Sequence, residues 1–136
     1  MNLIEKIEHG GRVLAYIIPS LARPERTTFL TPPEDRQQVG FVVYPAGGTI
    51  RRHYHKPFKR EIQGTSEVLL VRHGRCEVDL YDTRGDDKRL VVTRSLATGD
   101  VLVLVSGGHG FRVQEDTVFL EVKQGPYLGI DDKEAF

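Results

Sequence analysis

The sequence predicts an all-β domain, and three observations predict it. Short runs rich in β-branched and aromatic residues recur along the chain, for example at 12–18 (RVLAYII) and 67–72 (EVLLVR). Fourteen glycines and seven prolines punctuate those runs, as turns between strands require. No long stretch keeps apolar residues at helical spacing. About nine short strands at intervals of roughly 8–12 residues read as a β-sandwich or jelly-roll barrel.

Length and charge bound the rest. The 136 residues suit one domain, 1–136, large enough to bury a core without disulfides. Nineteen basic and nineteen acidic residues balance. A basic excess is what nucleic acid or a membrane surface selects, so neither is expected as a partner. The N-terminal segment is too short and too charged for a secretory signal, and no apolar run reaches membrane-spanning length. With one cysteine, Cys76, and so no internal disulfide, the expectation is a cytoplasmic protein.

Residues 2–8 read as an edge strand or a helical turn. Strands follow at 12–18, which Pro19 ends, and at 27–30, which Pro32-Pro33 closes. The run 39–44 (VGFVVY) is apolar throughout and reads as a central strand. Pro45 to Gly48 turn the chain into a strand at 49–55, and 56–66 forms a long hairpin loop. The next strands are 67–72 and 75–82. In the latter Cys76, Val78 and Leu80 face inward, and Glu77 and Asp79 outward. Strands at 89–93 and 101–105 flank the Thr98-Gly99-Asp100 turn. A last hairpin pairs 109–114 with 118–123, and 125–136 is a loop or short terminal helix. His9 and His73 read as solvated. The apolar excess at 39–43 and 68–70 exceeds what one buried face needs, which predicts a homodimer.

His53 and His55 stand at i and i+2, so a strand there would point both imidazoles to one face. Glu67 heads the apolar run that ends at Gly74. Two imidazoles and a carboxylate on a neighbouring strand form a donor set that suits a divalent transition metal. Arg51 shares the parity of His53 and His55 and can clamp an anionic group. The basic stretch 56–60 (KPFKR) lies close to them in sequence. On the strand after Gly108, His109, Phe111 and Val113 share a face, with Phe111 as an apolar pocket wall. On the last strand Phe119, Glu121 and Lys123 share one face, and Val118, Leu120 and Val122 the other. The apolar set reads as core; with a polar lumen, Glu121 and Lys123 face inward instead.

The order Gly48, His53, His55, Glu67, Gly74, followed by Gly99, Asp100, Gly107, His109, resembles the two motifs of the cupin superfamily over roughly residues 40–124. The resemblance implies a cupin-type double-stranded β-helix, a jelly-roll barrel, with N-terminal strands in 1–38 and a tail at 125–136. It also implies a metal (Fe, Mn, Ni, Zn or Co) held by His53, His55, Glu67 and His109. Eleven residues, 56–66, separate His55 from Glu67. That leaves Glu61 as the alternative carboxylate, although Glu67 keeps the motif's spacing to Gly74.

The expected function is binding or conversion of a small polar or anionic metabolite, such as a carbohydrate derivative, inside the barrel. Arg51, Phe111 and Lys123 are the candidate substrate contacts, and His53, His55 and Arg51 the candidate catalytic groups. An isomerase or oxygenase is the expected enzyme class. Two alternatives stand beside it. RRHYHK and the tail resemble metal-free sugar-nucleotide ketoisomerases of the same superfamily, in which His53 and His55 would be acid and base. A non-catalytic sensing cupin is the other.

Overall fold

The computed structural model describes residues 3–136. It is all-β, with ten strands and one 3-10 turn among those residues, and it divides into two compact units, 3–22 with 65–136, and 23–64.

The first unit is a two-layer sandwich. Strands β1 (Glu5–His9), β2 (Arg12–Ile18), β5 (Glu67–His73), β8 (Val101–Leu104) and β10 (Val118–Lys123) form one antiparallel sheet in the order β1-β2-β8-β5-β10. Strands β6 (Arg75–Asp82), β7 (Arg89–Ala97) and β9 (Gly108–Val113) form the other, with β6 central. The core lies between the sheets. Ile7, Leu14, Ile17, Leu69, Val71, Leu102 and Leu104 pack from the larger sheet, and Cys76, Val78, Leu80 and Leu96 from the smaller. Both sheets have open edges among the described residues; neither closes on itself as the expected barrel would.

Period-two alternation explains why these strands form. In β6 Cys76, Val78 and Leu80 are fully buried, as the pattern predicts. Asp79 departs from it, being buried on the opposite face, where Thr93 Oγ1 and Arg112 donate to its carboxylate. The hydrogen bonds offset the desolvation cost of the carboxylate. Strand β7 extends past the expected 93 to Ala97, because Leu96 fills the core opposite Cys76. Gly74 makes the tight β5–β6 connection at a φ of +107°, and a Cβ there would run into the Asp116 carbonyl and Thr117. The Gly99-Asp100 turn is a staple. Asp100 accepts from Ala97 N at 2.8 Å and from Ser20 N at 2.9 Å, which ties the β7–β8 turn to the end of β2.

Strand β10 settles a choice that alternation left open. Val118, Leu120 and Val122 are more than half exposed, whereas Phe119 packs against the core. Phe119 turns inward, and exposed Glu121 and half-buried Lys123 share its side of the strand. The apolar set lies on the outer face of the edge strand, beside half-buried Val68 and Leu70 of β5.

The second unit, 23–64, holds little regular structure. Strands β3 (Thr28–Phe29) and β4 (Gly40–Phe41) pair over two residues each. Thr31 Oγ1 accepts from Val39 N at 3.0 Å, and Gln38 Nε2 donates to the carbonyls of Pro32 and Asp35. The central strand expected at 39–44 is thus reduced to Gly40–Phe41, and its Val42 and Tyr44 are exposed. Its partner run is bounded by Pro24 and Pro32-Pro33, and a two-stranded ribbon alone is marginal. The strand expected at 49–55 is also absent: those residues are irregular and exposed. Glycines 47 and 48 precede it, Pro57 follows it, and Arg51, Arg52 and Lys56 leave it no apolar face to bury. The expected edge strand at 2–8 is realised as β1; residue 2 lies outside the described residues.

Candidate functional site

A cavity of about 710 Å³ opens at one end of the sandwich, within the 3–22/65–136 unit. Its polar centre comes from both sheets. Glu67 heads β5 and pairs in register with Lys123 of β10. Glu121 stands two residues before Lys123, so the two glutamates are diagonal neighbours on one face of an antiparallel pair, within side-chain reach. That face also carries Leu69, Val71 and Phe119, which belong to the core or pack on it. The carboxyl groups therefore sit where the apolar core ends. From the facing sheet, His109 of β9 pairs with Leu80, a buried residue, and its Nε2 lies 4.0 Å from Glu67 Oε1. Phe111 stacks edgewise on His109 at 5.8 Å and tilts against Phe119 at 5.1 Å, walling the site off from the core.

The electrostatics of this centre follow from burial and crowding. The Glu67 side chain is 17 % exposed. Desolvation pushes its carboxyl up to about 7, helped by a hydrogen bond to Glu121 and by the charge there, and opposed by Lys123 and Lys133. Glu121 moves the other way, chiefly because Glu67 donates to it. Two carboxyls this close hold one proton between them, and that proton resides on Glu67. Burial holds the His109 imidazole below its ordinary value, against the pull of Glu121. Near pH 7 Glu67 is about half protonated, beside a carboxylate and a neutral imidazole, a set able to donate and accept protons.

The loop between β8 and β9 shapes the rim. Gly107 adopts a φ of +77°, and a Cβ there would strike the Tyr81 carbonyl and meet Leu14. A Cβ at Gly108 would meet the Phe136 ring. That ring stands edge-to-face on Tyr81 with centroids 5.0 Å apart. The tail therefore forms part of the wall: Asp132, Lys133, Glu134 and Phe136 line the cavity, and Thr65 Oγ1 donates to Asp132 at 3.4 Å.

Among the expected ligands, Glu67 and His109 come together here. His53 and His55 belong to the 23–64 unit and are exposed, as are Arg51 and Glu61. The two imidazoles do lie side by side, with ring centroids 5.3 Å apart, although no strand aligns them. His53 Nδ1 donates to the Arg51 carbonyl at 2.7 Å, leaving Nε2 as the available nitrogen. The expected four donors thus divide two and two between the units. Among the described residues no group of three or more His, Cys, Asp or Glu is disposed to hold a metal ion. Phe111 lines the cavity as expected. Lys123 is not among its lining residues; its ammonium lies 5.8 Å from the Tyr127 ring centroid.

Sequence reasoning missed the tail: Asp132, Lys133, Glu134 and Phe136 carry no strand pattern that would have marked them. It also read His9 as solvated. His9 Nδ1 lies 2.8 Å from buried Asp82, which Arg84 also engages through its backbone N, Nε and terminal nitrogen. Arg84 holds the Asp82 carboxyl well below the usual carboxylate range. This cluster pins the β1–β2 turn to the β6–β7 hairpin.

Comparison with known proteins returns no match to a family model, to a curated protein or to a solved structure. Among the described residues no helix is long and apolar enough to cross a membrane.

Proposed function

We propose that the cavity is a binding site for a small polar metabolite, with Glu67, Glu121 and His109 as its reactive centre. One observation carries this: Glu67, Glu121 and His109 line one space of metabolite size, with His109 Nε2 4.0 Å from Glu67 Oε1. Structural pairs are normally opposite in charge, and a like-charged pair beside a cavity is more readily explained by chemistry than by stability. The reaction class that suits it is proton transfer next to a carbonyl. Glu67 donates to the carbonyl oxygen while Glu121 or His109 takes the proton from the adjacent carbon, as an isomerase requires.

The cupin reading rests on the same elements: antiparallel sheets face to face, Glu67 heading one strand and His109 following a glycine-rich bend. A divalent metal is the second reading of this centre. Its support is that Glu67 and His109, two of the four expected donors, stand 4.0 Å apart, a carboxylate and an imidazole of the kind that Fe, Mn, Ni, Zn or Co takes; the described residues bring no third donor into position. Two measurements on protein purified without immobilised nickel separate the readings. The first is metal content. The second is amide chemical-shift mapping with a panel of small aldoses, ketoses and hydroxy acids. Shifts centred on Glu67, His109 and Phe111 with sub-stoichiometric metal support the acid–base site. Stoichiometric metal that Glu67→Gln abolishes supports the metal. Binding without turnover assigns the sensing class. Shifts confined to other surfaces refute the site.

A further inference from the structure

The wall of the cavity points to a class of ligand, an inference that rests on the cavity being the functional site. Besides Glu67 and Glu121, Asp132 and Glu134 line it, and Lys133 is the one lysine or arginine among the described lining residues. Carboxyl groups outnumber ammonium groups four to one among them, and an acidic excess remains after the proton shared by the glutamate pair and the charge of nearby Lys123 are counted. An anionic ligand would meet repulsion from most directions.

The rest of the wall is aromatic. Tyr81, Phe111 and Phe136 line the cavity. Phe136 meets Tyr81 in a perpendicular contact, the edge of one ring against a face of the other. A π face attracts a positive charge and offers no lone pair to a metal ion. The space also far exceeds a bare ion and suits a molecule of metabolite size. Carboxylates on one side and ring faces on the other recognise a charged nitrogen carrying carbon.

We propose that the cavity takes a small organic cation, an amine or quaternary ammonium, with Glu121, Asp132 and Glu134 countering its charge and Tyr81, Phe111 and Phe136 packing on its carbon. The tail supplies two of the carboxylates and one of the rings, so it contributes to selectivity as well as to enclosure.

The test is an NMR titration of the full chain at constant ionic strength with choline, 1,4-diaminobutane, glutarate and 3,3-dimethyl-1-butanol, the neutral isostere of choline. At least one of the two cations is expected to shift the amides of Glu67, His109 and Phe111. The neutral isostere is expected to bind at least tenfold more weakly than choline, and glutarate not to shift those amides. The double variant Asp132→Asn/Glu134→Gln alters exposed tail positions outside the core, and is expected to weaken cation binding at least fivefold. Glutarate or the neutral isostere binding the cavity as tightly as the cations overturns the ligand class and leaves the site standing. Cation affinity unchanged in the double variant overturns the role of the tail carboxylates. If no probe shifts a cavity residue, the inference fails; if the sugar and hydroxy-acid panel then also leaves them unmoved, the cavity reading fails with it.

Discussion

Replacing Glu67 by glutamine is expected to change how stability depends on pH, and the structure supplies the sign and the size. Folding raises the Glu67 carboxyl from its ordinary 4.5 to about 7. Between those values the folded protein holds a proton that the unfolded chain has released. Stability therefore falls as pH rises from about 4.5 to about 7 and levels off above that. A tenfold change in proton affinity is worth about 1.4 kcal/mol, so the full loss is about 3 kcal/mol. Glu121 is lowered by the same contact, so its contribution is lost only below pH 4.5, outside this window. Glutamine has the shape of the protonated acid and donates to Glu121 as the acid does, but does not titrate. Burial of His109 works the other way, adding stability as pH rises towards 6.5, but both proteins share it, so urea denaturation from pH 4.5 to 8 is expected to show the wild type losing stability relative to Glu67→Gln as pH rises, with Glu67→Gln the more stable protein near pH 8. Parallel profiles for the two proteins would refute the argument.

Other perturbations follow from the same coordinates. Gly107→Ala combines a left-handed backbone with a collision against the Tyr81 carbonyl, and should cost about 2 kcal/mol or more in denaturant unfolding. Leu80→Ala empties a fully buried site between the sheets and should cost about 3 kcal/mol, measured the same way. The Arg94–Glu5 pair is bidentate at 2.8–2.9 Å but 40 % exposed on both sides. Arg94→Ala should therefore cost about 0.5 kcal/mol, with the difference shrinking in 0.5 M salt as screening weakens the pair. The homodimer expected from the apolar runs 39–43 and 68–70 would, at Val68 and Leu70, also bury the neighbouring outer row Val118, Leu120 and Val122. Sedimentation should then show a dimer that Leu120→Asp converts to monomer, whereas a wild-type monomer at micromolar concentration would refute it.

Sequence and structure agree where period-two alternation has a core to face. Strands β2, β5, β6 and β8 lie within a residue of their expected bounds, because Leu14, Leu69, Val78 and Leu102 each need a buried side. Glycine at 74, 99 and 107 was legible for a related reason: each of those turns demands a positive φ. The reading failed where apolar content lacked a partner. Val42, Ile50 and Tyr54 resemble strand residues, yet pairing is a property of two segments, and the prolines around them limit the second. The candidate site was half legible. Glu67 and His109 were found through motif order, but Glu121 was ambiguous because its strand carries valine and leucine on the opposite face. Which face turns inward depends on the diagonal from Glu67, a long-range fact that no local window holds.

The central claim is that Glu67 and Glu121 share one proton beside His109. Side-chain carboxyl ¹³C titration of the whole chain tests it directly. One glutamate, assigned to residue 67, is expected to titrate near 7, with Glu121 titrating below its ordinary value and losing that displacement in Glu67→Gln. Two independent titrations near 4.5, unchanged by removal of the other partner, would contradict it.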